Sequence, residues 1–405
     1  MRQYLLLFIS LLLLGCQGTQ KDQYSIELIN TPADENALAP RLFRSDKGQV
    51  YMSWLEKKVK NTQLKFSMLE DGSWTQPKLI SEGENWFVNW ADFPSIIENN
   101  GTLSAHWLEK RAEGTYDYDV KVSQSKDQGI SWSTPFTPHK DSIAAEHGFV
   151  SMLPLHDQDN FLTWLDGRNT KAMNHDAHNE GHGGSGAMTI RAGIFNDNGD
   201  MLNDWELDAR TCDCCQTTTA LTASGPIVAY RNRSDEEIRD IYISRLIDDA
   251  WSEPAPVYND NWKISGCPVN GPSLVANGDN VAIAWFTAAA GFGQVKMAIS
   301  KNSGASFSAP TILSEGNTNG RVGTTLLENG HIIISWMETS AELASILIAE
   351  FDEDGKELNR KTIAQTDSSR GSGFPVITNI DNNLVVAWTE SGESSLIKTA
   401  FITLN

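Results

Sequence analysis

Seven times along the chain an apolar run ends in an aromatic residue: Trp54, Trp107, Trp164, Tyr230, Trp285, Trp336 and Trp388. The successive gaps are 53, 57, 66, 55, 51 and 52 residues, so a unit of about fifty residues recurs from near Ala39 to the C-terminus. Within each unit the apolar runs are short, alternate in polarity and are broken by turn residues, which is the pattern of strands and not of helices. A chain of such units buries its sheet faces by stacking them around an axis, and the reading is an all-β, seven-bladed β-propeller. Function in such a fold belongs where loops of different units meet.

The last unit supports closure. Gly373 to Ile377, Leu384 to Thr389 and Leu396 to Leu404 read as three strands, after which the chain stops. The alternating run Tyr24 to Ile29 belongs to no unit of its own and supplies the missing fourth strand, which removes an exposed sheet edge. The domain plan is therefore residues 1–16 as a leader, 17–23 as a tether and 24–405 as one propeller.

The leader is Met1-Arg2, an apolar stretch from Tyr4 to Leu14, then Gly15-Cys16, too short to span a bilayer as a helix. Leu13-Leu14-Gly15-Cys16 resembles the cleavage box of bacterial lipoproteins, which implies Cys16 as the lipidated first residue and an address at the cell envelope, at the outer membrane because Gln17 and not Asp follows. Formal net charge is −20, which excludes a phosphate backbone as partner and suits a soluble body beside a membrane. The expected state is a monomer that touches the membrane through its lipid anchor alone and binds no nucleic acid.

Other units end in Trp74-Thr75-Gln76-Pro77, Trp132-Ser133-Thr134-Pro135, Trp251-Ser252-Glu253-Pro254 and Phe307-Ser308-Ala309-Pro310. Before two of these lie Ser125-Lys126-Asp127-Gln128-Gly129-Ile130-Ser131-Trp132 and Ser300-Lys301-Asn302-Ser303-Gly304-Ala305-Ser306-Phe307. The first resembles the Ser-x-Asp-x-Gly-x-x-Trp box of the bacterial sialidase superfamily, and the second is a degenerate copy; the likeness runs over essentially the whole mature length. The box is a turn in which Asp accepts backbone hydrogen bonds and Gly takes positive φ, so it speaks for fold and not chemistry. The resemblance implies a six-bladed, sialidase-like ring as the alternative architecture. It also implies an arginine clamp on a sugar carboxylate, a tyrosine paired with glutamate, and an aspartate that supplies a proton. Arg321 and Arg370 suit two clamp positions; Ala39-Pro40-Arg41-Leu42-Phe43 stands where the family has Arg-Ile-Pro; Tyr230 belongs to the structural aromatic series, and Tyr116 and Tyr118 fall on a loop.

Every unusual cluster falls on the rim opposite the boxes. Counting back eighteen residues from Tyr230 and Trp285 reaches Cys212 and Cys267, equivalent positions on adjacent blades, and Cys214 and Cys215 complete Cys212-Asp213-Cys214-Cys215. In an exported chain these cysteines form disulfides or a thiolate metal site, zinc or copper, with His178 of the histidine-rich loop His175 to His182 as a further ligand. Substrate-binding candidates are Arg210, Arg231, Arg233, Arg239, Arg321 and Arg370 as a positive mouth, with Asn270 as an amide donor and Trp90 as a stacking platform. Acid or base candidates are His147, Asp92 and Glu237.

The function these features suggest is a sialidase-like propeller that recognises, and cleaves if it is an enzyme, acidic glycans at the envelope. The alternatives are a lyase of uronic-acid polysaccharides and a non-enzymatic metal-binding or scaffolding lipoprotein.

Overall fold

The computed structural model describes residues 24–171 and 186–404. The leader, the tether, Cys16 and His178 lie outside the described residues. Seven antiparallel sheets follow one another along the chain, so the ring has seven blades and the six-bladed alternative is overturned. In blade seven the order is Val376–Ile380, Asn383–Glu390, Leu396–Leu404 and then Tyr24–Ile29, with Tyr24 opposite Leu404. The N-terminal strand closes the ring, as the unpaired alternating run demanded. Blade two departs from the pattern: its fourth strand shrinks to a bridge between Val122 and Phe136.

All seven marker aromatics lie on the second strand of their blade and are at most 3% exposed. Residues i and i+2 share a strand face, so the acid two positions on can accept the buried indole N–H. Trp54 donates to Glu56 at 2.8 Å, Trp164 to Asp166 at 2.9 Å and Trp336 to Glu338 at 3.0 Å. The period in the sequence is thus a period of buried wedges, and in three blades an acid two positions on takes the indole N–H, whereas the indoles of Trp107 and Trp388 find no acceptor among the described residues.

The boxes behave as turns. Asp127 accepts from the Ile130 and Ser131 amides, Gly129 has φ of 80°, and Trp132 meets Phe66 of the preceding blade edge-on at 6.2 Å. A Cβ on Gly129 would lie 2.4 Å from the Phe66 ring, so glycine is needed for blade contact as well as for the turn.

Three inner strands begin with the same irregularity. In Ala37–Arg44, His147–Pro154 and Thr318–Leu326 the pairing with the second strand slips over two residues, and the first of the two has positive φ: Ala39 at 54°, Phe149 at 53°, Arg321 at 53°. Such bulges twist a strand and re-aim its side chains. They open the axis of the ring just where the inner strands start.

Candidate functional site

The inner strands surround an axial cavity of about 390 Å³. Its wall mixes aliphatic side chains with hydroxyls and amides, including Ser151, Thr217, Thr219, Ser273, Thr324 and Asn379, and has Phe93, Phe149 and Phe374 as aromatic surfaces. The charged residues on the wall are Arg41, Arg44 and Asp92. Arg44 is paired with Glu328 at 3.3 Å. Arg41 sits 4.5 Å over the Phe93 ring and has no carboxylate beside it among the described residues; burial pushes its pKa down to about 10, so it stays a cation at neutral pH.

Asp92 belongs to a buried trio. Its Oδ2 lies 2.7 Å from the Tyr118 hydroxyl, its Oδ1 accepts the Phe149 amide at 2.7 Å, and the same hydroxyl lies 3.0 Å from Glu146 Oε1. A phenol has one proton to give; with a carboxyl on either side, one carboxyl must carry a proton of its own and donate to the phenol oxygen. Burial raises both acids: Asp92 goes to about 7 against the Tyr118 and Phe149 hydrogen bonds, and Glu146 goes to about 8 with the Asp92 charge adding to the effect. Burial also lifts Tyr118 well above its ordinary value. The phenol ring is held by stacking on Phe87 at 4.1 Å. Gly148 makes room, because a Cβ there would come within 2.1 Å of Asp92 Oδ2 and 2.8 Å of the Tyr118 oxygen. Half-buried Glu146, buried Tyr118 and cavity-wall Asp92 therefore form a short proton-sharing chain from rim to axis.

Sequence reasoning placed Tyr118 on a loop. In the structure it opens the strand Tyr118–Ser125 and is fully buried. Its two carboxyl partners stand 26 positions before it and 28 after it, so no local pattern announces them.

His147 starts its inner strand but points away from the cavity. It is 0% exposed, stacks face to face on His139 at 3.7 Å, and its Nε2 lies 3.1 Å from Asp141 and 3.6 Å from Asp166. Asp166 in turn takes Arg168 at 2.6 Å and the Trp164 indole. Burial alone would raise Asp166, yet Arg168, His147 and Trp164 hold it at about 2, while burial drives His139 down to about 4.

The arginines are largely spent on internal partners. Arg210 pairs with Asp235 at 2.6 Å; Arg233 and Arg239 both pair with Glu237, at 2.7 and 2.8 Å, which occupies that candidate acid. Arg321 donates to Ser372, Gly373 and Ser369 at the start of blade seven while lying 5.2 Å over Trp90. Trp90 is stacked on Phe374 and is half-buried. Exposed Arg370 lies 5.7 Å over the same indole. Asn270 is buried, its Oδ1 taken by the Arg321 amide and its Nδ2 by Pro268. Arg231 is 2% exposed and donates to the carbonyls of Asn270, Arg239 and Phe286.

Three cysteines meet, and the fourth reaches one of them. Cys212 Sγ lies 3.6 Å from the sulfurs of both Cys214 and Cys215, and Cys267 from the next blade lies with Cys214 and Asp213 within 4.8 Å of one another. All four are free thiols, and Arg239 donates to Cys212 Sγ at 3.3 Å. Hydrogen bonds from Cys214 and Cys215, with Arg239 and Arg231 nearby, hold the Cys212 thiol well below its ordinary value.

No protein-family model and no curated protein matches the chain by sequence. Solved structures do match in fold. Polysaccharide lyase Uly1 aligns with a TM-score of 0.54 at 8% identity over 93% of this chain and 91% of that one. The α-L-arabinofuranosidase Arb93A from Fusarium graminearum, in complex with an iminosugar inhibitor, aligns at 0.50 and 11% identity over 94% and 97%. NanB sialidase from Streptococcus pneumoniae aligns at 0.38 and 10% identity over 93% and 83%. At these identities the likeness establishes the propeller fold and leaves activity to the site.

Proposed function

We propose that this chain is a carbohydrate-active propeller that takes an acidic glycan into the axial cavity. The observation that carries the reading is Arg41, a cation without a carboxylate partner among the described residues, on a wall that carries hydroxyls and aromatic rings, in the same cavity as an acid tuned to about pH 7. A guanidinium forks onto a sugar carboxylate or sulfate, aromatic faces take the ring, and hydroxyls take its polar edge. Asp92 has the proton affinity suited to give or accept a proton near neutrality, and Tyr118 and Glu146 relay it toward the rim. The match in fold to a polysaccharide lyase and an arabinofuranosidase supports a carbohydrate substrate. Attachment through Cys16 to the bacterial outer membrane, and a monomeric state, complete the proposal.

Incubation with uronate-containing polysaccharides and with sialosides tests it. Elimination creates an unsaturated sugar that absorbs in the ultraviolet, hydrolysis releases free sugar, and retention without turnover marks a binding protein. Arg41→Gln should weaken glycan binding by about tenfold to a hundredfold, the worth of a hydrogen bond to a charged group, with the melting temperature unchanged. Absence of binding to any acidic glycan by the unaltered protein would end the reading.

A further inference from the structure

We infer that Cys212, Cys214, Cys215 and Cys267 form a thiolate site for one soft d10 cation, Zn2+ or Cu+, bridging blades four and five on the rim. The inference goes beyond the glycan reading and uses none of the cavity wall.

Geometry comes first. A tetrahedral ion with metal–sulfur bonds of about 2.3 Å separates its sulfurs by about 3.8 Å. Cys212 Sγ lies 3.6 Å from each of its two sulfur neighbours, close to that edge length. Three of the thiols come from one tight turn after Trp205–Asp208, and the fourth comes from the segment before Ser273–Asn277. Cys214 links the two sets, since it lies within 4.8 Å of Cys212 and Cys215 and also of Cys267.

Charge is the second and independent observation. Arg231 is a buried guanidinium whose hydrogen bonds all go to carbonyl oxygens, and no carboxylate pairs with it among the described residues. A buried cation without a counter-charge is costly. Arg239, 4% exposed, donates to Cys212 Sγ. Four thiolates around Zn2+ carry a net charge of about −2, and three or four around Cu+ carry about −2 to −3. Arg231 and Arg239 place two guanidiniums beside such a centre, Arg239 sharing its charge with Glu237. Asp213 belongs to the Cys214–Cys267 group, and its Oδ1, which makes no hydrogen bond, lies 3.7 Å from Arg239.

Binding ionises the thiols, so each thiol that ligates gives up its proton to solvent and no oxidant is needed. Soft sulfur selects Zn2+ or Cu+ over Mg2+ and Ca2+. Cys267 is exposed, so one ligand faces solvent.

The test uses the full chain purified anaerobically. Titration with Zn2+ and, separately, with Cu+ against chromophoric chelators should show one equivalent bound, and Co2+ should give sulfur-to-metal charge-transfer absorption. Thiol reagent should find four more reactive cysteines after the ion is removed than before. Cys267→Ser should lower affinity at least tenfold with the melting curve intact, and Cys212→Ser should remove the charge-transfer band. If Cys212→Ser does not fold, Cys267→Ser still decides, because its side chain lies on an exposed segment. No ion bound by the reduced protein, or unchanged stoichiometry and affinity in Cys267→Ser, would overturn the assignment. Glycan binding is measured on the same samples, so failure of the metal site and failure of the cavity reading are separate results.

Discussion

Two buried clusters of ionisable groups flank the start of blade three, and they are tuned in opposite directions. Around His147 every charge has a counter-charge or hydrogen bond: Asp166 has Arg168 and an indole, Asp141 has both imidazoles within 3.1 Å, and the Ile143 amide caps Asp141. Around Tyr118 two carboxyls face one phenol and no cation pairs with them among the described residues. Compensation holds Asp166 at about 2, whereas its lack lets burial lift Asp92 and Glu146 to about 7 and 8. The first cluster is a knot that fixes blade contacts. The second keeps protons available beside a cavity.

The largest effect should come from cutting the knot. Asp166→Ala leaves Arg168 and the Trp164 indole without their acceptor, and breaking a buried pair costs about 3–5 kcal/mol, read as a lower denaturation midpoint. A loss below 1 kcal/mol would mean the knot is ornamental. Crowding the trio comes next: Gly148→Ala should cost about 1–3 kcal/mol, because the new methyl meets the Asp92 carboxylate and the Tyr118 oxygen. Stability unchanged by this substitution would show that the trio is not packed as described.

The subtlest test is the dependence of stability on pH. His139 is held near 4 against an ordinary 6.5, so between these values the unfolded chain binds the proton that the native state refuses, and stability falls as pH drops from 6.5 toward 4. Asp166 adds a further loss below its ordinary 3.8. Asp92 and Glu146 have the opposite sign. Their contribution is full below about pH 4 and is lost as pH rises through about 7 and 8, because the unfolded chain sheds protons that the folded one keeps. Glu146→Gln should remove the upper part of the alkaline limb, leave a limb set by Asp92, and spare the acid limb. An unaltered alkaline limb would detach Glu146 from the trio.

Much of the fold was legible in the residues because its cues are local. A strand alternates over six to nine residues, a wedge tryptophan closes its own strand, and the Ser-x-Asp-x-Gly box satisfies itself within four positions. The number of blades and the closing strand at Tyr24–Ile29 follow from those repeats. Asp92 was also visible as an acid candidate, and counting equivalent positions set the Cys212 turn and Cys267 on adjacent blades, where Cys214 reaches Cys267, because repetition turns a sequence offset into an angle around the axis.

The assignment of charge was not legible. Which arginine faces the cavity depends on which of them finds a nearer acceptor: Arg233 and Arg239 find Glu237, Arg321 finds three acceptors in the Ser369–Gly373 turn, and Arg41 finds an aromatic face. The same holds for Tyr118, whose partners come from the two neighbouring segments, and for His147, which a bulge and the stacked His139 turn away from the axis. Periodicity adds up along a chain, so a closed ring of seven repeats could be read from the residues alone. Which cysteines, arginines and acids are compensated and which stay chemically available depends on distances of a few ångströms between residues far apart in the chain, and those came from the folded molecule.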